Sequence, residues 1–113
     1  MFALDHVAVQ TNDIAETAKF YVQEFGAEIL YQDDSWAFLR LGQGKLALVN
    51  PKQHPAHVAL RTTQEELETS AKHFGKTIKT HRDGTTGIYL EDPAGNQVEL
   101  ICYPVTRQGG ETG

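Results

Sequence analysis

The chain has 113 residues, 40% hydrophobic and 22% charged, with 15 acidic against 10 basic side chains and a formal net charge of −5. That length holds one modest core rather than several domains, and the acidic balance excludes the clustered basic face that a nucleic-acid partner requires. A single cysteine, Cys102, excludes an intramolecular disulfide and, with no leader-like or membrane-spanning apolar run, predicts a cytoplasmic protein with no membrane partner.

In chain order, residues 4–10 read as a strand that puts His6, Ala8 and Gln10 on one face and Val7 and Val9 on the other. Asp13 and Glu16 form a capping box for a helix whose apolar stripe is Ile14, Ala18, Tyr21, Val22 and Phe25, and Gly26 ends it. Strands are predicted near 27–32, 35–41 and 45–50, separated by Asp33-Asp34 and by Gly42-Gln43-Gly44. A proline-bounded linker follows. His57 to Arg61 is again a strand, and Thr63 with Glu66 caps a second helix that buries Leu67, Ala71 and Phe74 before Gly75. Strands near 76–80, 86–91 and 96–103 complete the pattern, with Asp92-Pro93-Ala94-Gly95-Asn96 as the last turn.

The two halves are copies. His6, Val7, Ala8, Val9 and Thr11 fall on His57, Val58, Ala59, Leu60 and Thr62 at a constant offset; both helices end on Phe-Gly; and LALV at 46–49 lies over VELI at 98–101. Two tandem βαβββ units are therefore predicted, an α+β fold in one domain over 1–104. Unit one covers 1–50, the linker 51–55 and unit two 56–104, with a flexible tail at 105–113.

The repeat also selects candidate chemistry. His6 and His57 occupy equivalent positions on equivalent first strands, so a pseudo-twofold arrangement brings two imidazoles together near its axis. Glu99, between Val98 and Leu100 in the last strand, shares their face and supplies the carboxylate of a two-histidine, one-carboxylate divalent site. The plainer alternative keeps the histidines as structural residues and Glu99 as a solvent-facing residue of a one-sided sheet.

HVAV at 6–9, HVAL at 57–60 and DPAGNQVEL at 92–100 resemble the vicinal oxygen chelate superfamily, which includes glyoxalase I, fosfomycin-resistance thiol transferases, methylmalonyl-CoA epimerase, extradiol dioxygenases and bleomycin-resistance proteins. The resemblance spans residues 3–103. It implies paired units in a cupped mixed sheet with helices outside, and a metal inside held by His6, His57 and Glu99. The position of the fourth ligand used by glyoxalase I and the epimerase falls on Ala47, which cannot ligate. Ala8 stands where the fosfomycin enzymes carry threonine. Tyr89 matches a substrate-contacting tyrosine of that branch, with pleat filling as its alternative role; Lys79 and Arg82 match basic residues that grip an anionic substrate. Arg61 shares the parity of His57 and points toward the same cup, which Trp36 and Phe38 either wall or leave for the core. An extradiol dioxygenase needs a further histidine acid, for which only His54 and His81 are placed.

The resulting expectation is a divalent-metal enzyme using Mn, Fe, Zn, Ni or Co on a small anionic oxygenated substrate. Tyr89 would be its catalytic donor and Lys79, Arg82 and Arg61 would bind substrate, with the chemistry left open among lyase, isomerase, thiol-transfer and dioxygenase reactions. The resemblance also implies a homodimer with shared sites. The alternative is a non-catalytic sequestering protein of the bleomycin-resistance type.

Overall fold

The computed structural model describes residues 1–104; the tail expected at 105–113 lies outside the described residues. Both helices form between the caps their sequences encode. Helix α1 (Ile14–Phe25) starts where the Asp13 carboxylate accepts the Glu16 N–H at 3.1 Å and stops at Gly26, whose φ of 73° a side chain would strain. Helix α2 (Gln64–Phe74) repeats this with the Thr63 hydroxyl accepting from the Glu66 N–H at 3.1 Å and with Gly75 at φ 66°.

The strands are β1 (Ala3–Gln10), β2 (Glu28–Gln32), β3 (Trp36–Leu41), β4 (Gly44–Val49), β5 (His57–Arg61), β6 (Lys79–Thr80), β7 (Thr86–Glu91) and β8 (Gln97–Cys102). They form one eight-stranded mixed sheet in the order β2-β3-β4-β1-β5-β8-β7-β6. Each first strand runs parallel to the last strand of its own half, β1 with β4 and β5 with β8, while β1 and β5 meet antiparallel at the centre. The architecture is α+β, a βαβββ motif repeated twice along one sheet.

Strand alternation gives the sheet two different faces. On the helix side, Ile14 and Ala18 of α1 pack over Ala37, Leu39 and Leu48, while Leu67 and Ala71 of α2 pack over Ile88, Leu100 and Cys102. Cys102 is thus a core residue. The concave side carries a smaller cluster of Ala8, Ala47 and Val49 with Phe38 against it. Small residues there leave the space that the site uses.

Two expectations need correction. The strand predicted near 76–80 contracts to Lys79–Thr80, because the Lys76 N–H donates back to the Ala71 carbonyl at 2.8 Å and closes α2 instead of entering the ladder. Phe25 and Phe74, assigned to buried stripes, are 62% and 52% exposed. Ile14 with Ala18, and Leu67 with Ala71, already cover the sheet, and Phe25 packs instead beside Phe20 at 5.7 Å between ring centroids. Among the described residues no helix is long and apolar enough to cross a membrane.

Leu39, beneath α1, and Leu67, on the buried face of α2, are fully buried. Leu39→Ala and Leu67→Ala are each expected to lower unfolding free energy by about 2–5 kcal/mol in urea titrations; a loss below about 1 kcal/mol at either site would contradict this core assignment.

Candidate metal centre

Register alone brings three potential ligands to one point of the concave face. In the antiparallel β1–β5 pair Ala8 faces His57 and His6 faces Ala59, and in the parallel β5–β8 pair Ala59 faces Glu99. His6 and Glu99 therefore flank Ala59, whose methyl group leaves them room to converge with His57. The turn before β8 sets this register: the Asp92 carboxylate accepts the N–H groups of Ala94 at 2.9 Å and Asn96 at 2.8 Å. Gly95 takes φ 88° at its tip.

All three residues are buried, and their donor atoms lie within 4.8 Å of one another. His57 Nε2 is 3.3 Å and His6 Nε2 3.9 Å from Glu99 Oε1, and the two rings lie 5.6 Å apart. Donors about 2.1 Å from a shared ion are separated by at most about 4.2 Å, so both imidazole–carboxylate spacings suit one cation. The far side of each ring is already committed. His6 Nδ1 is 2.7 Å from Asp5 Oδ2 and His57 Nδ1 is 3.0 Å from the Pro55 carbonyl. An acceptor at Nδ1 holds the proton there and presents the Nε2 lone pair to the cup, the form that ligates metal.

Charge makes the same point. Among the described residues the salt-bridge partners of Glu99 are imidazoles only: His6, His57 and, at 3.9 Å, His81. A buried carboxylate without a Lys or Arg partner is costly unless a cation or proton joins it. Without a cation, His57 takes that part: burial pushes its pKa down, but the Glu99 carboxylate and the Pro55 carbonyl more than reverse this and raise it above the ordinary value. Burial acts the opposite way on Asp5, pushing its carboxyl up, yet the bonds from His6 and Tyr103 hold it below the ordinary value.

His6 and His57 line a cavity of about 630 Å³, within the size range of small-molecule sites. Tyr31 and Trp36 form one wall, tilted together at 4.9 Å between centroids. Phe38 sets its ring edge-to-face with His6 at 5.4 Å, so both aromatics that the sequence left between wall and core belong to the concave side. Ala47, at the fourth-ligand position, lines the cavity with a methyl group. Tyr89 faces Glu99 across the β7–β8 ladder and stands edge-on to His57. Burial and the Glu99 charge push its pKa up to about 12, so it is a neutral hydroxyl at physiological pH.

The predicted binding residues divide. Arg82 lines the cavity, with His54, His81 and Asp83. Lys79, in β6, lines an adjoining cavity of about 360 Å³ that shares His81 and Tyr89 with the first. Arg61 lines neither; its guanidinium lies 3.4 Å from Asp5. The sequence reading missed Tyr31, Asp83 and Asp5. Parity hid Asp5: neighbouring strand residues point to opposite faces, and only a register shift between Leu4 and His6 turns Asp5 to the side of His6. A single chain supplies all three candidate ligands, so this triad needs no sharing between subunits.

Comparison with known proteins places this geometry in context. The family described as the Glyoxalase/Bleomycin resistance protein/Dioxygenase superfamily matches residues 3–100. The chain is 28% identical over 116 residues to biphenyl-2,3-diol 1,2-dioxygenase 3 of Rhodococcus globerulus, covering 86% of this chain and 61% of that protein. It therefore spans less than two thirds of that relative's length. It is 27% identical over 113 residues to metallothiol transferase FosB of Staphylococcus saprophyticus, covering 87% of this chain and 75% of that one. Among solved structures, a hypothetical protein of Bacillus halodurans superposes with a TM-score of 0.73 at 20% identity, covering 97% of this chain and 98% of that one. Methylmalonyl-CoA epimerase of Mycobacterium tuberculosis gives 0.71 at 15% identity, covering 89% and 87%. At these identities the structural likeness is one of fold.

A cation at this centre must displace the proton that Glu99 stabilises on His57. Uptake of a divalent metal by the metal-free protein is therefore expected to release protons, and occupancy at limiting metal to fall between about pH 8 and about pH 5. Occupancy that stays constant over that range, read by elemental analysis after gel filtration, would refute this competition.

Proposed function

The chain belongs to the glyoxalase/bleomycin resistance protein/dioxygenase superfamily, and from that premise we propose that it is a divalent-metal enzyme whose cation is held by His6, His57 and Glu99. The observation that carries the proposal is the convergence of three buried donors, with the Nδ1 atoms of both histidines already occupied, beside an alanine where a fourth ligand would stand. A two-histidine, one-carboxylate set leaves coordination positions open and suits non-haem iron among other divalent ions. When bound, the metal supplies Lewis-acid stabilisation of a substrate oxyanion and, if it is iron, the redox centre for oxygen chemistry.

The walls narrow the substrate. Tyr31, Trp36 and Tyr89 give the cup an aromatic lining suited to a flat ring, and the open positions suit two neighbouring oxygens. We read the substrate as an aromatic vicinal diol or a close oxygenated analogue, consistent with the diol named for one relative. The protein's own groups then divide the work. Arg82 at the rim attracts the anionic form, and Tyr89 donates its hydroxyl to a substrate oxygen. His81, the one spare imidazole within 4 Å of Glu99, is placed to take or return a proton. Lys79 serves any substituent that reaches the adjoining cavity. A homodimer is proposed as well, supported by the exposed Ile29 and Leu30 of the edge strand β2.

Protein purified without chelator is expected to carry close to one divalent metal per chain, and His57→Ala to lose it while keeping its far-UV circular dichroism. A variant that holds metal as tightly as the parent would overturn the ligand assignment. With iron and oxygen, catechols and 2,3-dihydroxybiphenyl are expected to turn over, with kcat falling roughly 10²-fold in Tyr89→Phe at unchanged metal content. A metal-loaded protein that binds these diols without consuming oxygen would point instead to sequestration.

A further inference from the structure

We infer that Asp5 is the positioning residue that fixes the imidazole of His6, and that Tyr103 in turn fixes Asp5; the inference rests on the metal-centre reading above. The Asp5 side chain is wholly inaccessible to solvent. It reaches the His6 side of the sheet through the register shift between Leu4 and His6, and such irregularities in a strand serve to re-aim a side chain. Burying a carboxylate there is costly unless it is fully bonded. Asp5 makes three contacts: Oδ2 stands 2.7 Å from His6 Nδ1 and accepts from the Tyr103 hydroxyl at 2.8 Å, while Oδ1 faces the Arg61 guanidinium at 3.4 Å.

Those partners come from distant parts of the chain. Tyr103 follows the end of β8 and Arg61 ends β5, so the carboxylate ties three strands together behind the ring of His6. His57 has no such support. Its Nδ1 meets a backbone carbonyl from the linker, so the two equivalent histidines of the repeat are held by different chemistry. A hydrogen bond to an ionised acceptor is the stronger kind and makes the ring a better donor to a metal. His6 is therefore the more firmly oriented ligand, and its orientation can be altered by mutation without touching any donor atom.

The test uses the full chain with zinc, its affinity measured by competition with a chromogenic chelator, and with cobalt, whose visible absorption reports ligand geometry. Asp5→Ala is expected to weaken zinc binding by about 10–100-fold and to change the cobalt spectrum. Asp5→Asn, which keeps an oxygen acceptor for Nδ1–H, is expected to recover part of the affinity. Tyr103→Phe is expected to weaken zinc binding in the parent and to have no further effect in the Asp5→Ala background, the signature of one connected unit. Equal affinity in parent and Asp5→Ala overturns the inference while leaving the metal centre intact; a parent that binds no zinc overturns both. A Tyr103→Phe effect that persists without Asp5 overturns the connection between them. If circular dichroism shows Asp5→Ala unfolded, Asp5→Asn and Tyr103→Phe decide the matter, and parent-like affinity and spectra in both would refute it.

Discussion

The antiparallel ladder between β1 and β5 sets His6 opposite Ala59 and Ala8 opposite His57, so the two imidazoles lie on a diagonal with an alanine beside each. Larger residues at Ala8 and Ala59 would fill the space into which the rings lean. The parallel ladder from β5 to β8 then brings Glu99 alongside Ala59, completing the group from three neighbouring strands. A shift of one residue in either ladder would send a donor to the helix side of the sheet, because alternation flips every side chain. The apolar cores beneath α1 and α2 resist such a shift, since it would also expose Leu48 or Leu100.

That arrangement gathers like charge. Asp5 and Glu99 are both buried carboxylates within reach of the same imidazole, and Arg61 answers only Asp5. Among the described residues Glu99 is met by imidazoles alone, and without a cation its charge is answered by the proton it favours on His57. A divalent cation beside Glu99 would offset the desolvation of Glu99 and the proximity of the two carboxylates together. Burial first and the charge of Glu99 second keep Tyr89 protonated, so that a hydroxyl rather than a phenolate lines the cavity.

The concave face is built for access as well as for charge. Gly87 on β7 lies close under His81: a side chain there would meet the Leu100 carbonyl oxygen at 2.6 Å and His81 Nε2 at 3.5 Å. The Leu100 carbonyl thus demands glycine at this position, and the 81–85 segment beside it is held by the His81 N–H donating to the Thr85 carbonyl at 2.7 Å. The fold thus brings His81, Arg82 and Asp83 to the same cavity that Tyr31 and Trp36 line.

The helices, most strands and the duplication were legible in the sequence because each rests on local rules: capping side chains, positive-φ glycines, and alternation that two copies repeat. The joint placement of His6, His57 and Glu99 on one face was legible for the same reason, since strand parity and internal symmetry are properties of order along the chain. What the sequence could not carry were features that depend on how strands meet. Asp5 is invisible to parity because a register shift reverses its direction, and its partners Tyr103 and Arg61 belong to distant segments. Arg61 shared the right parity yet turns to Asp5, since a nearby buried carboxylate outcompetes open solvent for a guanidinium. Tyr31 joins the cavity wall by packing on Trp36 across the β2–β3 hairpin, where a register shift between Ile29 and Tyr31 sets it opposite Phe38. Sequence order therefore determined which residues each strand could offer to the cup; only tertiary pairing decided which of them met, because distances between strands arise from hydrogen-bond register and not from position in the chain.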